Sequence, residues 1–183
     1  MDGRFVEQIT YGAPVLKWLR KSTALPIDAH LMVEDPTKQI DFFAEAGADI
    51  IDIHIESDCD IIACLKRIRG LGKKSALALK PGTPAEEAYP FLPLCDMLLI
   101  MTVEPGYGGQ GFIPETLPKI RAAREYADKN GFEDLDIQVD GGININTAED
   151  AKKAGANVLV AGTGLMKASD MAAVNSALKG FVK

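Results

Sequence analysis

Apolar and polar positions alternate along this chain in two rhythms. Short continuous apolar runs fall at Ile27–Met32, Asp49–Ile55, Ser75–Lys80, Met97–Val103, Asp136–Asp140 and Asn157–Ala161. They are mostly Ile, Leu, Val and Ala without polar alternation, as expected of parallel strands covered on both faces. Between them, longer stretches with helical spacing predict helices over 13–21, 36–46, 58–70, 84–89, 115–130, 147–154 and 170–181. Glu34-Asp35-Pro36 and Ile113-Pro114-Glu115 place a proline where a helix opens.

Two segments echo one another, Ala46-Gly47-Ala48-Asp49-Ile50-Ile51 and Ala154-Gly155-Ala156-Asn157-Val158-Leu159. In each, a helix stops at a glycine and a buried strand begins shortly after, the turn of a repeating β/α unit. Strict alternation of strand and helix requires a parallel sheet, open or closed. No G-x-G-x-x-G follows an early strand, which removes support for a dinucleotide-binding open sheet.

The polar and glycine residues favour a barrel. His30, His54 with Glu56, Lys80-Pro81-Gly82-Thr83, Glu104-Pro105-Gly106, Asp140-Gly141-Gly142 and Gly162-Thr163-Gly164 all sit where apolar runs end. In a (β/α)8 barrel those ends converge on one active-site face. Six strands preceded by a helix do not close a barrel of eight, so an α/β TIM barrel lacking its first strand, first helix and second strand is expected, as one domain over 1–183. Such a sheet is expected to fold as an open, gapped barrel or to lean on a partner.

Composition narrows the function. The chain has 183 residues, 47% of them hydrophobic and 25% charged, with a net charge of −6. These are the proportions of a globular protein with one substantial core, and the acidic balance argues against nucleic acid as a partner. No apolar run approaches membrane-spanning length and the first residues lack the apolar segment of a signal peptide, so a cytoplasmic protein is expected, with no membrane partner. Cys59, Cys64 and Cys95 form no C-x-x-C pair and are expected to be reduced.

The chemistry-bearing residues are few. His30 and Asp140 each end an apolar strand. Taken alone, the histidine reads as a hydrogen-bonded rim residue and the aspartate as a cap for the next turn. Together, a His and an Asp from different strands suit a divalent cation, and the carboxylate can also move protons. Gly106-Tyr107-Gly108-Gly109-Gln110-Gly111 holds four glycines in six residues directly after a strand. Such a loop is either a flexible connection or a cradle whose backbone amides approach a phosphate. Gly141-Gly142 and Gly162-Thr163-Gly164 follow the last two strands, where barrels commonly bind phosphate.

Several motifs together resemble the ribulose-phosphate 3-epimerases, from Met1 to the last helix. They are Met1-Asp2-Gly3 with Phe5-Val6, Asp28-Ala29-His30-Leu31-Met32-Val33, Leu79-Lys80-Pro81-Gly82-Thr83, Met101-Thr102-Val103-Glu104-Pro105-Gly106-Tyr107-Gly108-Gly109-Gln110, Val139-Asp140-Gly141-Gly142-Ile143 and Val160-Ala161-Gly162-Thr163. The resemblance implies an isomerase of the pentose phosphate pathway that interconverts D-ribulose 5-phosphate and D-xylulose 5-phosphate by metal-assisted proton transfer at C3. It implies one divalent ion (Zn2+, Fe2+, Mn2+ or Co2+) held by two histidines and two aspartates.

Carried over by residue, His30 is a metal ligand that also touches substrate, and Asp140 is ligand, substrate contact and proton donor. Gly106, Tyr107, Gly108, Gly109, Gly141, Gly142, Gly162 and Thr163 are substrate contacts. Thr163 stands where the family more often has serine and keeps the hydroxyl. Met1, Met32 and Met101 match methionines over the reacting carbons, though gap-filling methionines are an equal reading. The family's other His and Asp, and a first-strand serine, lie upstream of the motif that opens this sequence. The second base and two ligands are therefore expected to be missing, and His54 does not replace them. Two alternatives follow: a non-catalytic short form or paralogue that binds sugar phosphate or a full-length subunit, and an epimerase of a six-carbon ketose phosphate such as allulose 6-phosphate. A homo-oligomer is expected.

Overall fold

A computed structural model gives the structure of the protein and describes residues 1–181. Six strands, β1 (Asp28–Leu31), β2 (Ile50–His54), β3 (Lys74–Leu79), β4 (Met97–Met101), β5 (Asp136–Asp140) and β6 (Val158–Val160), form one sheet in chain order. Every pairing is parallel, with Ala29 opposite Ile51, Ile53 opposite Leu77 and Met101 opposite Asp140. Helices α1 (Ala13–Ser22), α2 (Thr37–Ala46), α3 (Ile61–Gly70), α4 (Leu117–Lys129), α5 (Ile145–Ala154), α6 (Thr163–Met166) and α7 (Met171–Lys179) complete the β/α alternation. Among the described residues no helix is long and apolar enough to cross a membrane.

The uninterrupted apolar runs make strands because both faces are covered. One set of strand side chains, including Ile51, Ile53, Leu77, Leu79, Leu98, Ile100, Ile137 and Val139, packs with Ile40, Leu65, Ile68, Ile120 and Ala148 of the helices. At roughly 1.5–3 kcal/mol for each fully buried large aliphatic side chain, this layer is the main source of stability. The opposite face holds a smaller cluster of Ala78, Leu99, Met101 and Val103, with Met32 against it. The curl is strong enough for Gln138 Nε2 on β5 to donate to Asp28 Oδ2 on β1 at 2.9 Å. β1 and β6 do not pair with each other among the described residues, so the sheet is a partial barrel. Val158, Leu159 and Val160 are only half-buried for this reason.

The echo between the two αβ turns is a structural device. Gly47 (φ 105°) and Gly155 (φ 114°) end α2 and α5 in the left-handed conformation. A Cβ on either would lie 2.8 Å or less from the stem of Arg20 or Arg124, which packs across it. The residue entering the next strand then reaches back to the strand before. Asp49 accepts from Ile27 N at 2.8 Å, Asp96 from Ser75 N at 2.8 Å, and Asn157 from Ile137 N at 2.7 Å. Arg20 and Arg69 donate to Asp49 and Asp96 at 2.7 and 3.3 Å, and Arg124 donates to the carbonyls of Gly155 and Leu135. The Ile27 amide, with Arg20 in support, outweighs burial and holds the Asp49 carboxyl below its ordinary value.

Three local expectations are corrected. The stretch expected to be a helix over 84–89 is a 3-10 run, Ala85–Leu94, because Pro90 and Pro93 lack the N–H groups an α-helix would use. α5 begins at Ile145 rather than 147, since Asn144 caps it: its side chain accepts from Asn146 N and Thr147 N while Thr147 Oγ1 accepts from Asn144 N. That leaves Asp140 free of the capping role it had as one reading. α3 begins at Ile61 rather than 58, where the Asp60 side chain accepts from Ala63 N at 2.9 Å.

Candidate active site

The C-terminal ends of the strands surround a cavity of about 870 Å³. Its walls include His30, Asp140, Gly106, Tyr107, Gly108, Gly109, Gly141, Gly142, Gly162, Thr163, Met1, Met32 and Met101, the residues that the resemblance assigns to the site, whereas His54, Glu56 and residues 80–83 do not line it. From the strand ends it continues to Leu16, Ile27 and Val160, on the side where β1 and β6 lack a second neighbour.

His30 and Asp140 are brought together from β1 and β5. His30 Nδ1 lies 3.7 Å from Asp140 Oδ2, too far for a hydrogen bond. The separation suits two donors sharing one ion, since bonds of about 2.0–2.2 Å permit up to about 4 Å between ligand atoms. No group of three or more His, Cys, Asp or Glu side chains able to hold a metal occurs among the described residues. The pair therefore fits two places in a coordination shell and no more.

Behind His30 lies a chain of contacts that sequence reasoning left aside. His30 Nε2 is 2.9 Å from His54 Nε2, and His54 Nδ1 is 2.9 Å from Glu56 Oε2. Glu56 Oε1 accepts from Lys80 N at 2.8 Å and from the Thr83 hydroxyl. Lys119 Nζ donates to the carbonyls of Lys80 and Pro81 at 2.8 and 2.7 Å, pinning that loop. Burial pushes His54 down to about 4, against the upward pull of Glu56. Burial acts to raise Glu56, but hydrogen bonds from His54, Thr83 and Lys80 N–H outweigh it and bring it to about 2. At neutral pH the contact is therefore an uncharged imidazole donating to a carboxylate. The signal was present in the sequence as His54-Ile55-Glu56 at a strand end beside Lys80-Pro81-Gly82-Thr83, with nothing in it to tie these residues to His30.

Deeper in the interior, Asp52 is fully buried and neither of its oxygens has a partner. Burial, reinforced by Asp28 and then Asp140, raises its carboxyl well above the ordinary value.

The glycine loops enclose the other end of the cavity. Gln110 Nε2 donates to the carbonyls of Glu104 and Tyr107 at 2.6 and 2.9 Å, folding residues 104–110 into a closed loop. Gly108 packs against the Thr163 hydroxyl at the start of α6. Gly142 has φ 66°, and a Cβ there would lie 2.3 Å from Phe112 N. Only glycine lets the strand-end turn approach the preceding loop this closely. Residues 1–10 fold across the mouth: Asp2 accepts from the backbone N–H of Arg4, Phe5 and Glu34, and the Phe5 ring packs tilted against His54 with ring centres 4.7 Å apart.

The model of the ribulose-phosphate 3 epimerase family matches residues 1–166. The chain belongs to the ribulose-phosphate 3-epimerase family. It is 45% identical over 174 residues to the ribulose-phosphate 3-epimerase of Synechocystis sp., covering 94% of this chain and 75% of that protein. With the Bacillus subtilis enzyme of the same name the identity is 42% over 180 residues, covering 98% and 83%. The fold is also that of more distant barrels. 3-Keto-L-gulonate-6-phosphate decarboxylase of Vibrio cholerae superposes with a TM-score of 0.71 at 16% identity, over 92% of this chain and 78% of that one. 3-Hexulose-6-phosphate synthase of Salmonella typhimurium gives 0.70 at 17%, over 93% and 79%. The chain is thus an epimerase-family α/β protein whose six described strands form a partial TIM barrel.

Proposed function

We propose that the protein interconverts D-ribulose 5-phosphate and D-xylulose 5-phosphate by proton transfer at C3. The observation that supports this most is the meeting of His30 and Asp140 at 3.7 Å in a cavity that three glycine loops also line. In this reading the loop of residues 106–109, Gly141–Gly142 and Gly162–Thr163 receive the phosphate through backbone N–H groups. Met32 and Met101 form the apolar floor below the reacting carbons, with Met1 at the mouth. The Asp140 carboxylate takes the C3 proton, the electron pair forms the C2–C3 double bond, and negative charge moves onto the C2 oxygen. Return of a proton to the opposite face of C3 inverts the centre.

His30 and Asp140 would hold a divalent ion such as Zn2+, Fe2+, Mn2+ or Co2+, which supplies positive charge against the enediolate oxygens when bound. Inversion needs a second acid on the far face. Of the other carboxylates lining the cavity, Asp2 accepts three backbone N–H groups, Asp28 accepts from Gln138 and Asp35 accepts from Thr37 N, which leaves Glu104. In this reading the second acid and the remaining ligands are supplied by chain filling the space between β6 and β1.

The test is epimerase turnover with Mn2+ or Zn2+ on two proteins: the 183-residue chain, and the same chain joined to a strand-helix-strand segment of a relative. The joined protein should turn over ribulose 5-phosphate faster than allulose 6-phosphate and lose about a thousandfold or more on Asp140→Asn, within the range of a lost acid–base group. Absence of turnover in the joined, metal-loaded protein would sink the proposal. A second reading rests on the same single carboxylate: the chain by itself binds the sugar phosphate without inverting it. That reading predicts exchange of the C3 hydrogen with D2O in the 183-residue chain and no xylulose product.

A further inference from the structure

We infer that His54 and Glu56 form a positioning relay that fixes the tautomer of His30 and so aims its Nδ1 lone pair at the place Asp140 faces. The inference rests on the metal-assisted reading of the site and deepens it. Neither residue lines the cavity, and neither touches the reacting atoms.

The direction of the relay follows from counting donors and acceptors. Glu56 Oε1 already accepts from the Lys80 amide and the Thr83 hydroxyl, contacts that favour the ionised carboxylate, which only accepts. Its other oxygen, 2.9 Å from His54 Nδ1, therefore requires a proton on Nδ1. His54 has no exposed surface, an environment in which the uncharged ring is favoured. An uncharged ring with its proton on Nδ1 presents a lone pair at Nε2. The 2.9 Å contact between the two Nε2 atoms is then a hydrogen bond donated by His30. With its proton committed at Nε2, an uncharged His30 has its lone pair at Nδ1, the atom 3.7 Å from Asp140 Oδ2.

Metal-binding histidines generally direct their second nitrogen to a carboxylate or carbonyl. Here a second imidazole stands between, so the carboxylate acts on His30 at one remove. Stacking of the two rings, 4.9 Å between centres and 24° between planes, and the Phe5 ring on His54 hold the geometry. Lys119 secures the loop that supplies the Lys80 amide.

The chain contains two histidines, which makes the relay directly observable. Long-range proton–nitrogen correlation spectra of the 15N-histidine-labelled chain at neutral pH, without metal or substrate, should show His54 protonated at Nδ1 and His30 at Nε2. Glu56→Gln keeps the size of the side chain but can present an amide donor to His54. Both rings should then reverse, leaving His30 protonated at Nδ1, and Zn2+ affinity measured by chelator competition should fall by about 10- to 100-fold. Thr83→Val, which leaves the acceptor in place, should leave both tautomers as they are. A proton on Nδ1 of His30 in the unmodified chain overturns the relay, and that measurement needs no variant. So does reversal in Glu56→Gln with Zn2+ affinity unchanged within twofold, or no reversal in a folded Glu56→Gln. Because no substrate is present, these outcomes stand apart from any failure of the epimerase assay.

Discussion

Gln138 and Asp28 are 110 residues apart in the chain and 2.9 Å apart in the structure, joining the buried Gln138 of β5 to the exposed Asp28 that opens β1. Gln138 is 4% exposed, and its carbonyl oxygen has no partner. Exchanging the amide for a carboxylate by Gln138→Glu would replace a donor to Asp28 with a repelling acceptor. The variant should lose about 1–3 kcal/mol of stability at pH 7, the range for an unpaired buried polar group. The loss should shrink near pH 4.5 as the carboxyls protonate. Urea unfolding at both pH values measures it, and an equal loss at each would contradict the account.

Asp52 should be a cost to the fold at neutral pH. Its folded carboxyl is raised by burial and by Asp28 and Asp140, so the native state holds a proton that the unfolded chain releases. Stability tied to this group is complete below the unfolded value of about 3.9 and declines as pH rises toward the folded value. Asp52→Asn removes that decline. The variant should gain on the parent as pH rises from about 3.9 toward the folded value, read from urea midpoints; a pH-independent difference would dissociate Asp52 from it.

His54 and Glu56 act in the opposite sense. Both are lowered in the folded protein, to about 4 and about 2. The unfolded chain therefore binds more protons as pH falls, first between about 6.5 and 4 through His54, then from about 4.5 down to 2 through Glu56. The thermal midpoint should drop on acidification in that order. In His54→Gln the first part of the drop should vanish, and a calorimetric series from pH 7 to pH 3 would reveal whether it does.

Gly142→Ala should damage the phosphate end of the cavity. Holding alanine at φ 66° costs roughly 1–2 kcal/mol by itself. The added methyl would also push against the backbone of Phe112 and displace the closing end of the 104–112 loop. Titration with inorganic phosphate should show at least a tenfold weaker affinity, while Gly72→Ala, a positive-φ glycine with open space around it, should leave phosphate binding unchanged.

The parts of this architecture that could be read in the sequence are those fixed by neighbours along the chain. Continuous apolar runs gave strands, and the two Ala-Gly-Ala turns gave the repeat, because each depends on residues within one β/α unit. The 3-10 run at Ala85–Leu94 escaped because two prolines act against an otherwise helical composition. His30 and Asp140 were legible only through motifs, and their 3.7 Å approach depends on the curl of the whole sheet. Asp52 was hidden inside an apolar run, where one carboxylate does not change the pattern. His54 and Glu56 were visible as polar residues at a strand end. Their bearing on His30 needs the β1–β2 register that sets the two strand ends side by side.

The clasps made by Asp49, Asp96 and Asn157 imply an order of assembly. They join positions 22, 21 and 20 residues apart, short loops whose closure is entropically mild. Each strand can thus be zipped to its predecessor as soon as one β/α unit is made, and the sheet can grow along the chain in steps of similar size. The Gln138–Asp28 bond has no such short route, and it forms only once five strands are in place. Weakening a clasp with Asp96→Ala should slow folding, whereas disrupting the Gln138–Asp28 bond should mainly hasten unfolding.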